Sequence, residues 1–325
     1  MSGAMLGLAG FGLTLALIAF GFPVAVAMAL VGVGGFWWLN GIMGAGFILG
    51  SSPFEAIFPY SLSVVPLFVM MGVFAARAGL SRSLFDMVNS FLGHVRGGLA
   101  VTGVGACAIF GAICGSSLAT VATMGRVAIP EMQKRGYDGS LSSASIAAGG
   151  TLGVLIPPSI LLVLYGILTQ TSIGQLFIGA ILPGILGALL YGLAIIVRVR
   201  LAPHLAPSAP KAGWGTRLAT LRRVWGVVAL FALVIGGIYL GWFSPTEAAA
   251  VGAVGAFVLA LVSGELTRSA LWGAVRETAG LTGMIFFILI GASLFNYFLE
   301  TTGLPRALID SIDGSGLSPA MVLVL

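Results

Sequence analysis

Apolar residues run along this chain in long blocks, and the polar positions between them are few and clustered. Residues 1–52 carry no charged side chain and hold two predicted spans, near 4–20 and 23–39, divided at Gly21-Phe22-Pro23. A third span is predicted near 55–76, followed by a polar connector with Arg77, Arg82 and Arg96. The apolar stretch 97–125 leads to a second basic connector with Arg126, Lys134 and Arg135. Spans near 142–169 and 173–197 come next. The longest polar segment, 198–223, holds six positive charges, no acid, and Pro203, Pro207 and Pro210, so it reads as a linker. Three more spans are predicted near 224–240, 246–263 and 279–299, and Leu325 lies inside a further apolar run. A bilayer needs about 20 apolar residues per helical crossing. A β-barrel would show short alternating segments instead. The fold class is therefore an all-α polytopic membrane protein.

Composition sharpens this. Charged residues make up 8% of the chain and hydrophobic ones 58%, against about 25% charged in a soluble domain. The 15 Lys and Arg outnumber the 10 Asp and Glu, but they sit in short connections between apolar runs, as cytoplasmic loops do. Nucleic acid is not an expected partner; membrane lipid is. The first span has no basic leader and no small-residue cleavage site, and reads as a retained helix. Cys107 and Cys114 share one helical face too far apart for a disulfide and read as small core residues.

Charge also sets orientation. The linker 198–223 is placed in the cytoplasm, which puts the connector after the 97–125 stretch inside as well. The connector before that stretch is also basic. The 97–125 segment therefore begins and ends on one side, and reads as a re-entrant hairpin. Non-helical backbone at membrane depth must be buried in protein or line a cavity. Gly115-Ser116-Ser117 suits the tip, because glycine permits unusual dihedrals and serines offer oxygens and N–H groups.

A repeat is visible too. Gly79-Leu80-Ser81-Arg82-Ser83-Leu84-Phe85-Asp86 and Gly303-Leu304-Pro305-Arg306-Ala307-Leu308-Ile309-Asp310 share one pattern, at an offset of 224 from position 79 to 303. The same offset pairs the first three spans with the last three. An odd number of crossings per unit would invert the second copy, and inverted repeats with broken helices mark secondary transporters. The expected division is a first inverted repeat over 1–197, with hairpin 97–125 and broken helix 142–169, a cytoplasmic linker over 198–223, and a partial second repeat over 224–325. By the offset, counterparts of the hairpin tip fall beyond Leu325, so the chain reads as a truncated form.

The second broken element is Gly149-Gly150-Thr151-Leu152-Gly153 followed by Pro157-Pro158-Ser159. Paired prolines remove two N–H donors and free upstream carbonyls. Such carbonyls, with Ser and Thr hydroxyls, make a hard-oxygen site suited to Na⁺, and half-helix N-termini can face an anion. A structural kink with small-residue packing is the competing reading. Arg126 follows the hairpin and reads either as an interfacial anchor or as a partner for a substrate carboxylate. Ser244 is expected to cap a helix opening at Pro245, with Glu247 in its first turn. No carboxylate pair, His/Cys cluster or Ser-His-Asp set suggests an enzyme, and no phosphate-binding loop suggests ATP hydrolysis.

Several stretches together resemble a known family, the large permease (DctM) subunit of TRAP transporters. They are Gly115-Ser116-Ser117 with Ala119-Thr120, Ile129-Pro130-Glu131-Met132, Arg135-Gly136-Tyr137-Asp138, Gly149-Gly150-Thr151-Leu152-Gly153, Ile156-Pro157-Pro158-Ser159, Leu182-Pro183-Gly184 and Pro245-Thr246-Glu247. The resemblance implies an ATP-independent importer of the bacterial inner membrane. It implies two partners, a periplasmic DctP-like substrate-binding protein and a small four-helix DctQ-like membrane subunit. It also implies a Na⁺-coupled elevator carrying organic acids such as C4-dicarboxylates, with no other cofactor. The ion and substrate region falls on Gly115, Ser116, Ser117, Thr120, Gly149, Gly150, Thr151, Gly153, Pro157, Pro158 and Ser159. One departure is Cys114, where family members often carry a serine. Two rival readings are an ion-coupled carrier without a binding protein and a non-transporting membrane scaffold.

Overall fold

The computed structural model describes residues 3–207, 210–314 and 321, and all regular structure among them is helical. The chain runs through α1 (Gly3–Ala19), α2 (Val24–Ile57), α3 (Val64–Arg77), α4 (Leu80–Leu92), α5 (Gly98–Cys114), α6 (Ser117–Lys134) and α7 (Gly139–Leu155). It continues with α8 (Ile160–Leu168), α9 (Ile173–Leu201), α10 (Trp214–Arg223), α11 (Trp225–Tyr239), α12 (Pro245–Val262), α13 (Arg268–Thr302) and α14 (Leu304–Asp313). Six membrane-length apolar segments occur among the described residues, and a seventh if α10 and α11 count as one bent span. The protein is a multi-pass helical membrane protein.

Two compact units form, one from residues 1–60 and 282–325, the other from 61–281. In the first, the later half of α13 packs on α2. Val31, Phe295 and Phe298 form its core. A methyl added at Gly32 would lie 2.7 Å from the Leu294 carbonyl carbon, so the two backbones nearly touch. In the second unit, α3 packs on α12, with the Phe74 and Phe257 rings edge to face at 5.2 Å. The 224-residue offset equates α2 with α12, and α3 with the later part of α13. Each unit thus pairs two helices that the offset assigns to different halves of the chain. Gly79 (φ 70°) and Gly303 (φ 70°), 224 positions apart, are left-handed residues opening the amphipathic helices α4 and α14.

The polar connectors are more ordered than their composition suggests. The stretch 77–96 contains α4, because Leu80, Leu84, Phe85 and Val88 form a buried helical stripe among the charges. The 198–223 linker is also partly helical. Arg198 and Arg200 extend α9 to Leu201, favoured at the negative end of the helix dipole, and α10 forms before the next span. The hairpin's second arm runs on through Pro130 to Lys134 instead of ending near 125. The second span runs past 39 to Ile57, with its break at Gly41, whose φ of 75° and ψ of 180° suit glycine almost alone. Ser244 and Glu247 form a reciprocal capping box at α12, as expected.

Asp138 caps α7, accepting from the Ser140 and Leu141 N–H groups at 2.9 and 3.2 Å and from the Ser140 hydroxyl. These hydrogen bonds, the Ser140 hydroxyl's first, hold its carboxyl below the usual aspartate value. A lowered folded pKa gives stability that is full above the unfolded value and lost as pH falls through the folded one. The stability difference between wild type and Asp138→Ala should therefore be level at neutral pH and shrink below the ordinary carboxylate range. Acid-series thermal melts in detergent check this, and a difference that does not change with pH would refute it.

Candidate functional site

The two broken elements meet in the 61–281 unit. The first break lies between α5 and α6. Gly115 turns with φ 61°, its N–H bonded to the Gly111 carbonyl at 2.8 Å. Ser116 is extended and caps α6, its Oγ accepting from the Ala119 N–H at 3.4 Å. The second break lies between α7 and α8. Pro157 and Pro158, joined by a cis peptide, are buried there. Ser159 is extended and caps α8, its Oγ accepting from the Leu162 N–H at 3.4 Å. The breaks touch directly: the Ile160 N–H donates to the Gly115 carbonyl at 3.3 Å.

Close approach of small residues makes this contact. A methyl on Gly111 would overlap Gly153 Cα. One on Gly153 would lie 2.8 Å from Thr120 Oγ1 and 3.2 Å from both Gly111 Cα and the Ser116 carbonyl oxygen. No larger side chain fits between α5 and α7 at this level.

Each break joins a helix C-terminus to a serine-capped N-terminus. Pro157 and Pro158 cannot donate to the carbonyls of Gly153 and Val154, and the Ile160 N–H bonds Gly115 instead of Ile156. Carbonyl oxygens at the ends of α5 and α7 carry partial negative charge, and the N-termini of α6 and α8 partial positive charge. Such a place suits a hard cation and an anionic group side by side. Oxygen-rich backbone of this kind fits Na⁺. Among the described residues, no group of three or more His, Cys, Asp or Glu is placed to hold a metal ion.

The predicted residues divide. Gly115, Ser116, Ser117, Thr120, Gly153, Pro157, Pro158 and Ser159 surround the junction. Thr120 is fully buried, donates to the Ser116 carbonyl at 2.7 Å and lies 3.0 Å from the Cys114 sulfur. It therefore braces the first break. Cys114 supplies a thiol partner to that brace. Gly149 and Gly150 sit a turn away as packing positions, against Cys107 and Val121 respectively. Thr151 points elsewhere: exposed, it bonds the Ala148 carbonyl at 2.7 Å and lies 3.3 Å from the Tyr191 hydroxyl of α9. Arg126 is exposed and about 15 Å along α6 from Ser116, at about 1.5 Å per residue. The junction does not include it. Residue-type reasoning missed Gly111 and Ile160; Gly111 lies one turn before Gly115, the only sequence signal it offered.

An all-α membrane bundle with two interrupted helices meeting inside it has the architecture of a membrane transport protein. The chain matches the family described as tripartite ATP-independent periplasmic transporter, DctM component, over residues 11–325, and it belongs to that family. It is 40% identical over 274 residues to the C4-dicarboxylate TRAP transporter large permease protein DctM of Pseudomonas aeruginosa, covering 84% of this chain and 64% of that protein. It is 33% identical over 309 residues to the ectoine TRAP transporter large permease protein TeaC of Halomonas elongata, covering 95% and 72%. The isethionate TRAP transporter permease protein DctMQ of Oleidesulfovibrio alaskensis is 33% identical over 329 residues, covering 97% and 49%. These relatives are permeases, and the family is not enzymatic.

Proposed function

We propose that this chain forms the large membrane subunit of a Na⁺-coupled importer of organic acids such as C4-dicarboxylates in a bacterial inner membrane. The observation that carries this reading is the direct contact of the two helix breaks, bonded from Ile160 to Gly115. Freed carbonyls at the ends of α5 and α7 hold Na⁺, and the serine-capped starts of α6 and α8 face the substrate carboxylate. The repeat supports an elevator built from two inverted halves. Relatives named for C4-dicarboxylate, ectoine and isethionate support varied small substrates delivered by a DctP-like binding protein. A relative named DctMQ supports a DctQ-like small subunit as partner.

Uptake of labelled succinate into vesicles holding the chain with its partner subunits should require an inward Na⁺ gradient. Ser116→Ala and Ser159→Ala should each raise the succinate concentration for half-maximal uptake, and each cap loss should cost about 1 kcal/mol of stability. Gly150→Ala is a poor probe, because its methyl would run into Val121. Uptake indifferent to Na⁺ would refute the coupling. Uptake without any binding protein would favour the rival carrier reading.

A further inference from the structure

We propose that α10 lies in the plane of the membrane interface and selects anionic phospholipid. It belongs to the polybasic segment but packs as a helix. Its junction with the span α11 bends by 51°, so it leaves the direction of the crossing. Trp214, Leu218 and Leu221 recur at helical spacing and share a face about 60° wide, with Trp225 continuing it across the join. All four are exposed, Trp214 at 78% and Trp225 at 64%. Arg217 and Arg222 flank this stripe on either side, and Lys211 precedes the helix.

The helix is held at its other face. Thr220 Oγ1 lies 3.0 Å from Ser90 Oγ on α4, and Arg217 Nε donates to the Ser90 carbonyl at 3.1 Å. The Arg217 guanidinium sits over the Trp214 and Phe91 rings, 5.1 and 5.4 Å from their centroids. That fixes the apolar stripe outward. Of the basic residues on α10, Arg223 lies near enough to Asp86 of α4 to interact with its charge. Lys211 and Arg222 are exposed and reach groups outside the protein, whereas Arg217 is engaged with α4 and Trp214.

An apolar stripe bordered by cations is what the boundary between acyl chains and phosphates accommodates. Indole rings favour that depth, and Lys and Arg reach from it to headgroups. The occupant is thus the anionic headgroup layer of the bilayer, matched by the positive charge and by the exposed aromatic stripe. The inference concerns a surface apart from the ion site and does not rest on Na⁺ coupling.

The test reconstitutes the full chain in phosphatidylcholine bilayers and measures the fraction of spin-labelled phosphatidylglycerol, against spin-labelled phosphatidylcholine, immobilised at the protein. Wild type should prefer phosphatidylglycerol, and Lys211→Gln with Arg222→Gln should weaken that preference by about fivefold per removed charge. Lys134→Gln with Arg276→Gln removes the same charge from exposed sites elsewhere and should leave it in place. No preference in wild type, or equal loss in both pairs, would overturn the proposal. Position is read separately with nitroxides at Leu221→Cys and Ala219→Cys, since Cys107 and Cys114 are buried. The first should be reached by dissolved oxygen and shielded from a polar nickel chelate, and the second the reverse. Chelate access to both, or a protein partner shielding both, overturns the membrane placement.

Discussion

Gly153→Val should destabilise the 61–281 unit by about 3 kcal/mol or more, the upper end of what overpacking costs. Two things put it there. First, two of the three nearest atoms are backbone: beyond the Thr120 hydroxyl oxygen at 2.8 Å, the new β-carbon meets Gly111 Cα and the Ser116 carbonyl oxygen at 3.2 Å each, and neither can rotate away. The γ-carbons add a collision that only separating α5 from α7 relieves. Second, that separation pulls the breaks apart and strains the Ile160-to-Gly115 bond. Gly153→Ala should cost less, because its nearest clash, at 2.8 Å, is the Thr120 hydroxyl oxygen. Combining Gly153→Ala with Thr120→Ala removes that atom, so the pair should cost less than the sum of the single changes. Unfolding of the purified protein in detergent, followed by denaturant or heat, gives the values. A Gly153→Val cost under about 0.5 kcal/mol, the scale of neutral surface changes, would show that the close approach does not exist.

The junction was largely legible in the sequence because breaking a membrane helix needs unusual residues. Gly115-Ser116 and Pro157-Pro158 stand out in an apolar chain for the same reason they interrupt the helices: they take or force non-helical dihedrals and remove donors. The motif at Gly79 and Gly303 was legible too, since a left-handed opening residue followed by an amphipathic helix leaves a spaced pattern. What escaped was decided by tertiary contact. Thr151 has the residue type of a site oxygen, yet its turn of α7 faces Tyr191, a direction no local pattern encodes. Arg126 was expected just past the hairpin's end at 125, as an interfacial anchor or a carboxylate partner; α6 carries it about three turns from the break, which leaves the anchor reading. Gly41 was one glycine among many in an apolar run, and its break shows only in its dihedrals. α4 and α10 were hidden by their charges, because helices of 13 and 10 residues carrying arginines read as connectors until contact with the rest of the fold shows them as helices.

Gly115→Ala should cost distinctly more than Gly79→Ala, and the difference measures how tightly the two breaks are pressed together. Both glycines are left-handed, at φ 61° and φ 70°. A side chain there costs about 1–2 kcal/mol from backbone sterics alone. At Gly79 nothing lies within 4 Å of the added methyl, so the cost should stop there. At Gly115 the methyl would lie 2.8 Å from the Pro158 carbonyl oxygen and 3.3 Å from the Ile160 nitrogen. The first distance is too short for carbon against oxygen, and the second lies on the path of the Ile160 N–H bond to Gly115. Relief requires the 156–160 segment to move, which leaves a buried donor without its acceptor and adds about 1–3 kcal/mol. Gly115→Asn separates the two effects. Asparagine tolerates left-handed backbone better than alanine, so it should recover the dihedral part and keep the crowding. Parallel melts of the three variants decide the matter: equal costs for Gly115→Ala and Gly79→Ala would mean the breaks are not in contact. A large Gly115→Ala excess with unchanged Na⁺ dependence of uptake would mean that the contact holds the fold but not the ion.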